Sequence, residues 1–262
     1  MILDRFTLTD SVAIVTGAGR GIGRAIALGC AEVGADVVCA ARTAEQVEDT
    51  AARVRDLGRR ALAYRCDVTK PDERQALVDA AVGELGRLDV LVNNVGGWPP
   101  QPLLETSDKD FERAFRFNVT HALSLTRLAA PHLARSSTGG SVVNISSVAG
   151  IEPSPSFAAY GTAKAALNYL TRELAQDLAP AVRVNAIACG SIETEALQTV
   201  LTDEVREQMV ELTPMARLGT VDDIAACAVY LASPAASYVT GQIVGVHGGM
   251  VGLNMRMPRA SP

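Results

Sequence analysis

The stretch Thr16-Gly17-Ala18-Gly19-Arg20-Gly21-Ile22-Gly23 lies between a β-branched run, Val12–Thr16, and a helical pattern, Arg24–Glu32. Glycines here let the chain turn tightly out of a strand and bring its backbone close to a pyrophosphate. The phosphate then rests on the partial positive charge of the following helix. The spacing is TGxxxGxG. The pattern GxGxxG does not fit, because counting from Gly17 it demands glycine where Ile22 stands. A strand–helix turn without a ligand uses the same residues, so the rest of the chain has to decide.

On either side of this loop, short apolar runs alternate with longer amphipathic stretches. The runs are Val12–Thr16, Val37–Ala41, Ala61–Arg65, Val90–Asn93, Val142–Ile145, Val182–Ala188 and Ile243–Val246. They are mostly β-branched and do not alternate with polar residues, which suits strands covered on both faces. Between them, Ala44–Leu57 and Pro71–Leu85 carry apolar residues at helical spacing. Strand–helix alternation predicts an α/β fold, a single-domain, doubly wound, seven-stranded and mostly parallel sheet of Rossmann type with helices on both faces. Pro99–Pro100 and the Pro153–Pro155 stretch are too short for interdomain linkers and read as loops.

Composition narrows the function. The 262 residues are 48% apolar and 20% charged, enough for a self-sufficient core and too apolar for a disordered chain. The 24 Lys+Arg against 29 Asp+Glu are interspersed, with no run of five basic residues, so a nucleic-acid grip is not expected. No 18-residue apolar stretch occurs, and MILDRFTLTD lacks a basic region followed by an apolar one. Neither a membrane span nor a signal peptide is expected. Cys30, Cys39, Cys66, Cys189 and Cys227 form no CxxC pair and read as free, buried thiols of a cytoplasmic protein. His121, His132 and His247 have no partner at metal-ligand spacing, so no metal is expected.

The glycine loop and the motifs that follow it resemble the short-chain dehydrogenase/reductase family, non-extended branch, over residues 10–250. Val92-Asn93-Asn94-Val95-Gly96 is similar to the family's NNAG, and Asn118 stands at its helix asparagine. Asn144-Ile145-Ser146-Ser147 matches its strand-five serine motif, and Tyr160-x-x-x-Lys164 its YxxxK signature. Cys189-Gly190-Ser191-Ile192-Glu193-Thr194 resembles PGxIxT. Pro214–Gly219, Asp222-Asp223-Ile224 and Thr240-Gly241-Gln242 look like bacterial ketoreductase and hydroxysteroid dehydrogenase branches. Val95, Cys189 and His247 depart from the usual Ala, Pro and Asp. The resemblance implies a nicotinamide-dependent oxidoreductase of secondary alcohols and ketones. It implies catalytic roles for Asn118, Ser147, Tyr160 and Lys164, with Asn118 holding a relay water. It also implies cofactor contacts at Gly17, Arg20, Gly21, Ile22, Asp67, Val68, Asn94, Tyr160, Lys164, Ile192 and Thr194.

The residue types agree with that chemistry. Tyr160 and Lys164 are four apart on a predicted helix, Tyr160–Leu178, and share a face. A neighbouring ammonium is expected to lower the phenol's pKa from about 10 toward working pH, which makes it an acid/base for an alcohol or carbonyl. Ser147 precedes Tyr160 by the family's interval, which selects it over Ser146. Asp67 has a second use as a turn cap over Asp67–Pro71, and Asn118 as a partner for a buried carbonyl or a kink.

NADP is expected in preference to NAD. The second strand ends at Ala41 where an NAD-selective site carries an acid, and Arg42 and Arg20 stand ready for a 2′-phosphate. The substrate is expected to be apolar and bulky, steroid-like or acyl. Ser191–Leu218 reads as a lid carrying Ile192, Leu197, Val200, Leu201, Val205, Met209 and Leu212, and Trp98 as a further wall or a packing residue. The resemblance implies a homo-oligomer, a tetramer, paired through the Asn118 and Tyr160 helices and through Ile243–Val246. The tail Met250–Met257 reads as packing on a neighbour. The competing reading is a non-catalytic NADP-sensing regulator on the same fold; such proteins typically lose Tyr or Lys, and both are present. A sugar-nucleotide epimerase would want TGxxGxxG and a longer chain.

Overall fold

The computed structural model describes residues 1–198 and 201–255; Val200 and Met257, assigned above to the lid and the tail, lie outside these. Seven strands form one parallel sheet: β1 (Val12–Thr16), β2 (Asp36–Ala41), β3 (Ala61–Arg65), β4 (Val90–Asn93), β5 (Gly140–Ser147), β6 (Val182–Cys189) and β7 (Ile243–Val246). Their order is β3-β2-β1-β4-β5-β6-β7, and every pair is parallel. The expected runs therefore all become strands, with β5 and β6 longer because the pairing runs on to Ser147↔Cys189.

The connecting helices are α1 (Gly21–Glu32), α2 (Ala44–Asp56), α3 (Pro71–Leu85), α4 (Asp108–Phe115), α5 (His121–Leu133), α6 (Ala158–Leu178), α7 (Glu195–Gln198), α8 (Asp203–Glu211) and α9 (Val221–Ala232). Successive strand side chains alternate between two cores. Ala13, Val15, Val37 and Cys39 join Ile26 of α1, Val47 of α2 and Ile224 of α9 on one face. Ile14, Val38 and Ala40 join Leu77 of α3, Leu125 of α5 and Leu174 of α6 on the other. Burial on both faces is what a non-alternating strand sequence requires.

The sheet order reverses between β1 and β4, whose chains continue to opposite sides. A crevice opens at their carboxyl ends, the place where open α/β sheets take ligands. A buried polar chain ties this part of the sheet to α6. Asn93 Nδ2 donates to Asn144 Oδ1 at 2.9 Å, and Asn144 Nδ2 donates to Thr171 Oγ1 at 2.9 Å. Among the described residues no helix is long and apolar enough to cross a membrane.

Candidate active site

The glycine loop leaves β1 with Gly17 at φ +67° and enters α1 with Gly21 at φ +54°, both in the left-handed region. Gly23 serves a different need, since a Cβ there would stand 2.2 Å from the Gly17 carbonyl oxygen. Two side chains brace the loop from below. Arg24 Nη2 donates to Gly19 O at 2.6 Å, and Thr50 Oγ1 donates to Ala18 O at 2.9 Å. Thr16 Oγ1 donates to Val92 O at 3.1 Å and accepts from Asn94 N at 2.9 Å, while Asn94 Nδ2 donates to Thr16 O. The ends of β1 and β4 are thereby locked together at the floor of the crevice.

One part of the crevice, about 430 Å³, runs from Arg20, Arg42, Asp67 and Val68 along the glycine loop to Asn94 and Thr194. A second part, also about 430 Å³, holds Ser147, Tyr160 and Lys164 together with Ile192. Ile22, Asn94, Gly96 and Thr194 line both, so the two parts are continuous. The exposed Arg20 and Arg42 stand at the far end, on the same side as Asp67. Burial works against the Asp67 carboxylate, yet Oδ1 accepts from Thr69 N and Oγ1, and with Arg42 and Lys70 nearby the group is held below its ordinary value. Asp67 thus caps its own turn and lines the crevice as well.

At the inner end, Ser147 closes β5 and its Oγ accepts from Ala149 N at 3.2 Å. Ser146 points elsewhere, donating to Lys164 O at 3.5 Å. Lys164 is buried, and its Nζ donates to Ile145 O at 2.8 Å. Burial pushes its ammonium down to about 8. Burial pushes the Tyr160 phenol up to about 12, against the pull of its hydrogen bond with Ser147. This corrects the expectation that Lys164 brings the phenol toward neutrality. The ammonium is directed at a strand carbonyl and lies over the Tyr160 ring, 5.8 Å from its centroid.

Asn118 sits in a π-helical turn, Arg116–Thr120, between α4 and α5. Its Nδ2 donates to Ala114 O at 2.8 Å and Gly97 O at 3.1 Å, and its Oδ1 accepts from Gly97 N at 2.8 Å. It therefore both marks the helix irregularity and closes the loop after β4. A Cβ on Gly96 would lie 2.8 Å from Asn118 Oδ1 and 2.8 Å from Lys164 Nζ, so the two groups flank a backbone with no room for a side chain. One turn on, His121 is buried with Nε2 against Phe117 O at 2.8 Å, and burial pushes it down to about 4. It is a neutral packing residue.

Similarity to known proteins gives the family. Residues 17–251 match the family described as Enoyl-(Acyl carrier protein) reductase. An uncharacterized oxidoreductase of Mycobacterium tuberculosis is 52% identical over 259 residues, 98% of each chain. The 7alpha-hydroxysteroid dehydrogenase of Escherichia coli K12 is 42% identical over 249 residues, 95% of this chain and 97% of that one. A solved 7 alpha-hydroxysteroid dehydrogenase, complexed with NADH and 7-oxo glycochenodeoxycholic acid, superposes with a TM-score of 0.91 at 42% identity, over 95% of this chain and 97% of that one. The chain belongs to the short-chain dehydrogenase/reductase family. It is an oxidoreductase of hydroxyl and keto groups that works with a pyridine nucleotide.

Two features of the surroundings of this short-chain dehydrogenase/reductase site stand out. Of the two uses open to Trp98, packing is the one seen: its ring lies beneath the Arg113 guanidinium at 5.9 Å, packing the loop against α4. The described part of the tail lies on its own chain, with Met250 and Asn254 buried there and Leu253 and Met255 lining the chamber. These tail residues, with Phe157, are the part of the site that motif reading missed. No local spacing marks them, since Asn254 meets Ser191 from 63 positions away.

Proposed function

We infer that this oxidoreductase interconverts a bulky, apolar secondary alcohol and its ketone, with NADP(H) preferred and Tyr160 moving the proton. The observation that carries the reading is the continuous crevice that joins Ser147, Tyr160 and Lys164 to the glycine loop. The residues fit a dinucleotide: Gly17, Gly21 and Gly23 clear the backbone beside α1, and Arg20, Ile22, Asp67, Val68, Asn94, Ile192 and Thr194 line the path from adenosine end to reacting end. When bound, the nicotinamide supplies or accepts hydride.

Proton movement is the work of the chain. A phenol held at about 12 is protonated at neutral pH, the form that donates to a carbonyl oxygen during reduction. Ser147, hydrogen-bonded to Tyr160, holds the same substrate oxygen. Lys164 and Asn118 flank Gly96, and the family resemblance supports reading them as a proton relay from the phenol to solvent by way of a water held at Asn118. The described parts of Ser191–Leu218 reach the chamber, and Leu197 and Met209 give the lining an apolar side that suits a steroid-like or acyl substrate. We read this segment as the lid.

NADP preference rests on charge. β2 ends at Ala41, so no acid stands there to repel a 2′-phosphate, and Arg20 and Arg42 are both exposed in the crevice. Two guanidiniums meet a phosphate by charge-assisted bonds. Titration of both cofactors tests it. Wild type is expected to bind NADP more tightly than NAD, and Arg42→Ala to lose about tenfold in NADP affinity with little change for NAD. Tighter NAD binding by wild type, or no loss in Arg42→Ala, contradicts the reading. Five free cysteines suit a cytoplasmic setting. Phe111, Phe115, Leu123 and Tyr169, exposed along α4, α5 and α6, suit pairing into a tetramer.

A further inference from the structure

A segment outside regular secondary structure stays in place only where something ties it down. Here 250–255 turns back over the chamber of Ser147, Tyr160 and Lys164, and Leu253 and Met255 form part of the lining. Apolar contact alone does not fix such a segment, because leucine and methionine side chains slide and repack at little cost. The tie is polar. Asn254 is only 3% exposed, and a buried amide must have its hydrogen-bonding groups satisfied.

Asn254 meets that demand across two other segments. Its Oδ1 accepts from Ser191 Oγ at 2.6 Å, just beyond β6. Its Nδ2 donates to Thr213 Oγ1 at 2.8 Å and to Met209 O at 3.0 Å, at the end of α8. Thr213 Oγ1 in turn donates to Met209 O at 2.7 Å, which closes the cluster. Both amide hydrogens are spent, so Asn254 has no donor left for a substrate and acts through its neighbours.

We propose that Asn254 is a specificity-determining positioning residue. It clamps 250–255 to Ser191 and to the end of α8, so that Leu253, Met255 and Met209 stand as one apolar wall that selects substrates by size and shape. This rests on the reading of the chamber as the substrate site. The clamp also couples 250–255 to α8, since moving α8 away from the chamber must break two of its three bonds.

The test uses the full-length holoenzyme, with a 7-hydroxysteroid and cyclohexanol as bulky and small probes, and hydrogen exchange along α8. Asn254→Ala is expected to speed exchange at 209–213 and to lower the steroid-to-cyclohexanol ratio of kcat/KM about tenfold. Leu253→Ala leaves the clamp intact. It is expected to lower the same ratio while exchange at 209–213 stays as in wild type. Asn254→Asp keeps the acceptor for Ser191 but loses both donors, so its exchange should match that of Asn254→Ala. Unchanged exchange in Asn254→Ala overturns the proposal, as does an equal loss on both substrates. A wild-type enzyme that turns over no steroid refutes the bulky-substrate reading instead, and the clamp is then decided by exchange at α8.

Discussion

Lys164 shows how position in the fold overrides the ordinary chemistry of a residue. The side chain is buried and its nitrogen donates to a strand carbonyl, and that burial costs the charged form more than the neutral one. The sequence has three lysines, and the exposed Lys70 is the opposite case, raised by its bond to Glu73. The sign is direct: Lys164 loses its charge as pH rises through about 8, while Lys70 keeps its own beyond the usual lysine range. Heteronuclear NMR of lysine labelled at Cε should show one side chain titrating near 8 and absent in Lys164→Met. Three signals moving together at the ordinary lysine value would contradict this. The YxxxK spacing announced that Tyr160 and Lys164 share a face. It could not announce where the ammonium points, because that depends on Ile145 O in a strand 19 positions away.

At the scale of elements, the most legible features were those whose pattern is local. The β-branched runs became strands with nearly the expected ends except at β5, which extends two residues further at each end, and Pro71–Leu85 became α3 with both bounds as read. The glycine loop was legible because a Cβ at Gly23 has nowhere to go. At Asn118 a kink was legible as one alternative, but its bonds to Gly97 in another loop were not, because they depend on where the chain after β4 arrives. The same holds for the polar chain from Asn93 through Asn144 to Thr171, which joins β4, β5 and α6. Asn144→Ala removes the middle link and leaves Asn93 Nδ2 with only its longer bond to Thr126 Oγ1 at 3.3 Å, and Thr171 Oγ1 without the Asn144 donor. The expected cost is about 1–3 kcal/mol of stability, read as a lower denaturant midpoint with unchanged m-value. A midpoint equal to wild type would show that the chain of amides contributes nothing net.

For the molecule as a whole, the sequence foretold a single doubly wound domain, because alternating strands and helices admit few other arrangements. It did not foretell that the tail turns inward, since burial of Asn254 depends on α8 and Ser191 arriving at the same place. Burial also governs the thiols. Cys30, Cys39 and Cys189 are each pushed up to about 12 by burial, so a disulfide reagent at pH 8 should label the native protein slowly and all five cysteines after denaturation. Rapid native labelling of three or more thiols would contradict the packing. Light scattering should give a mass well above the 27.5 kDa chain, and a monomer at micromolar concentration would reject pairing through α4, α5 and α6. The central claim is that the crevice transfers hydride to or from a nicotinamide while Tyr160 moves the proton, and Tyr160→Phe tests it most directly. Nicotinamide absorbance with a secondary alcohol or its ketone should show turnover reduced about 10² or more, with cofactor affinity and thermal stability near wild type. Turnover close to wild type in that variant would contradict the account.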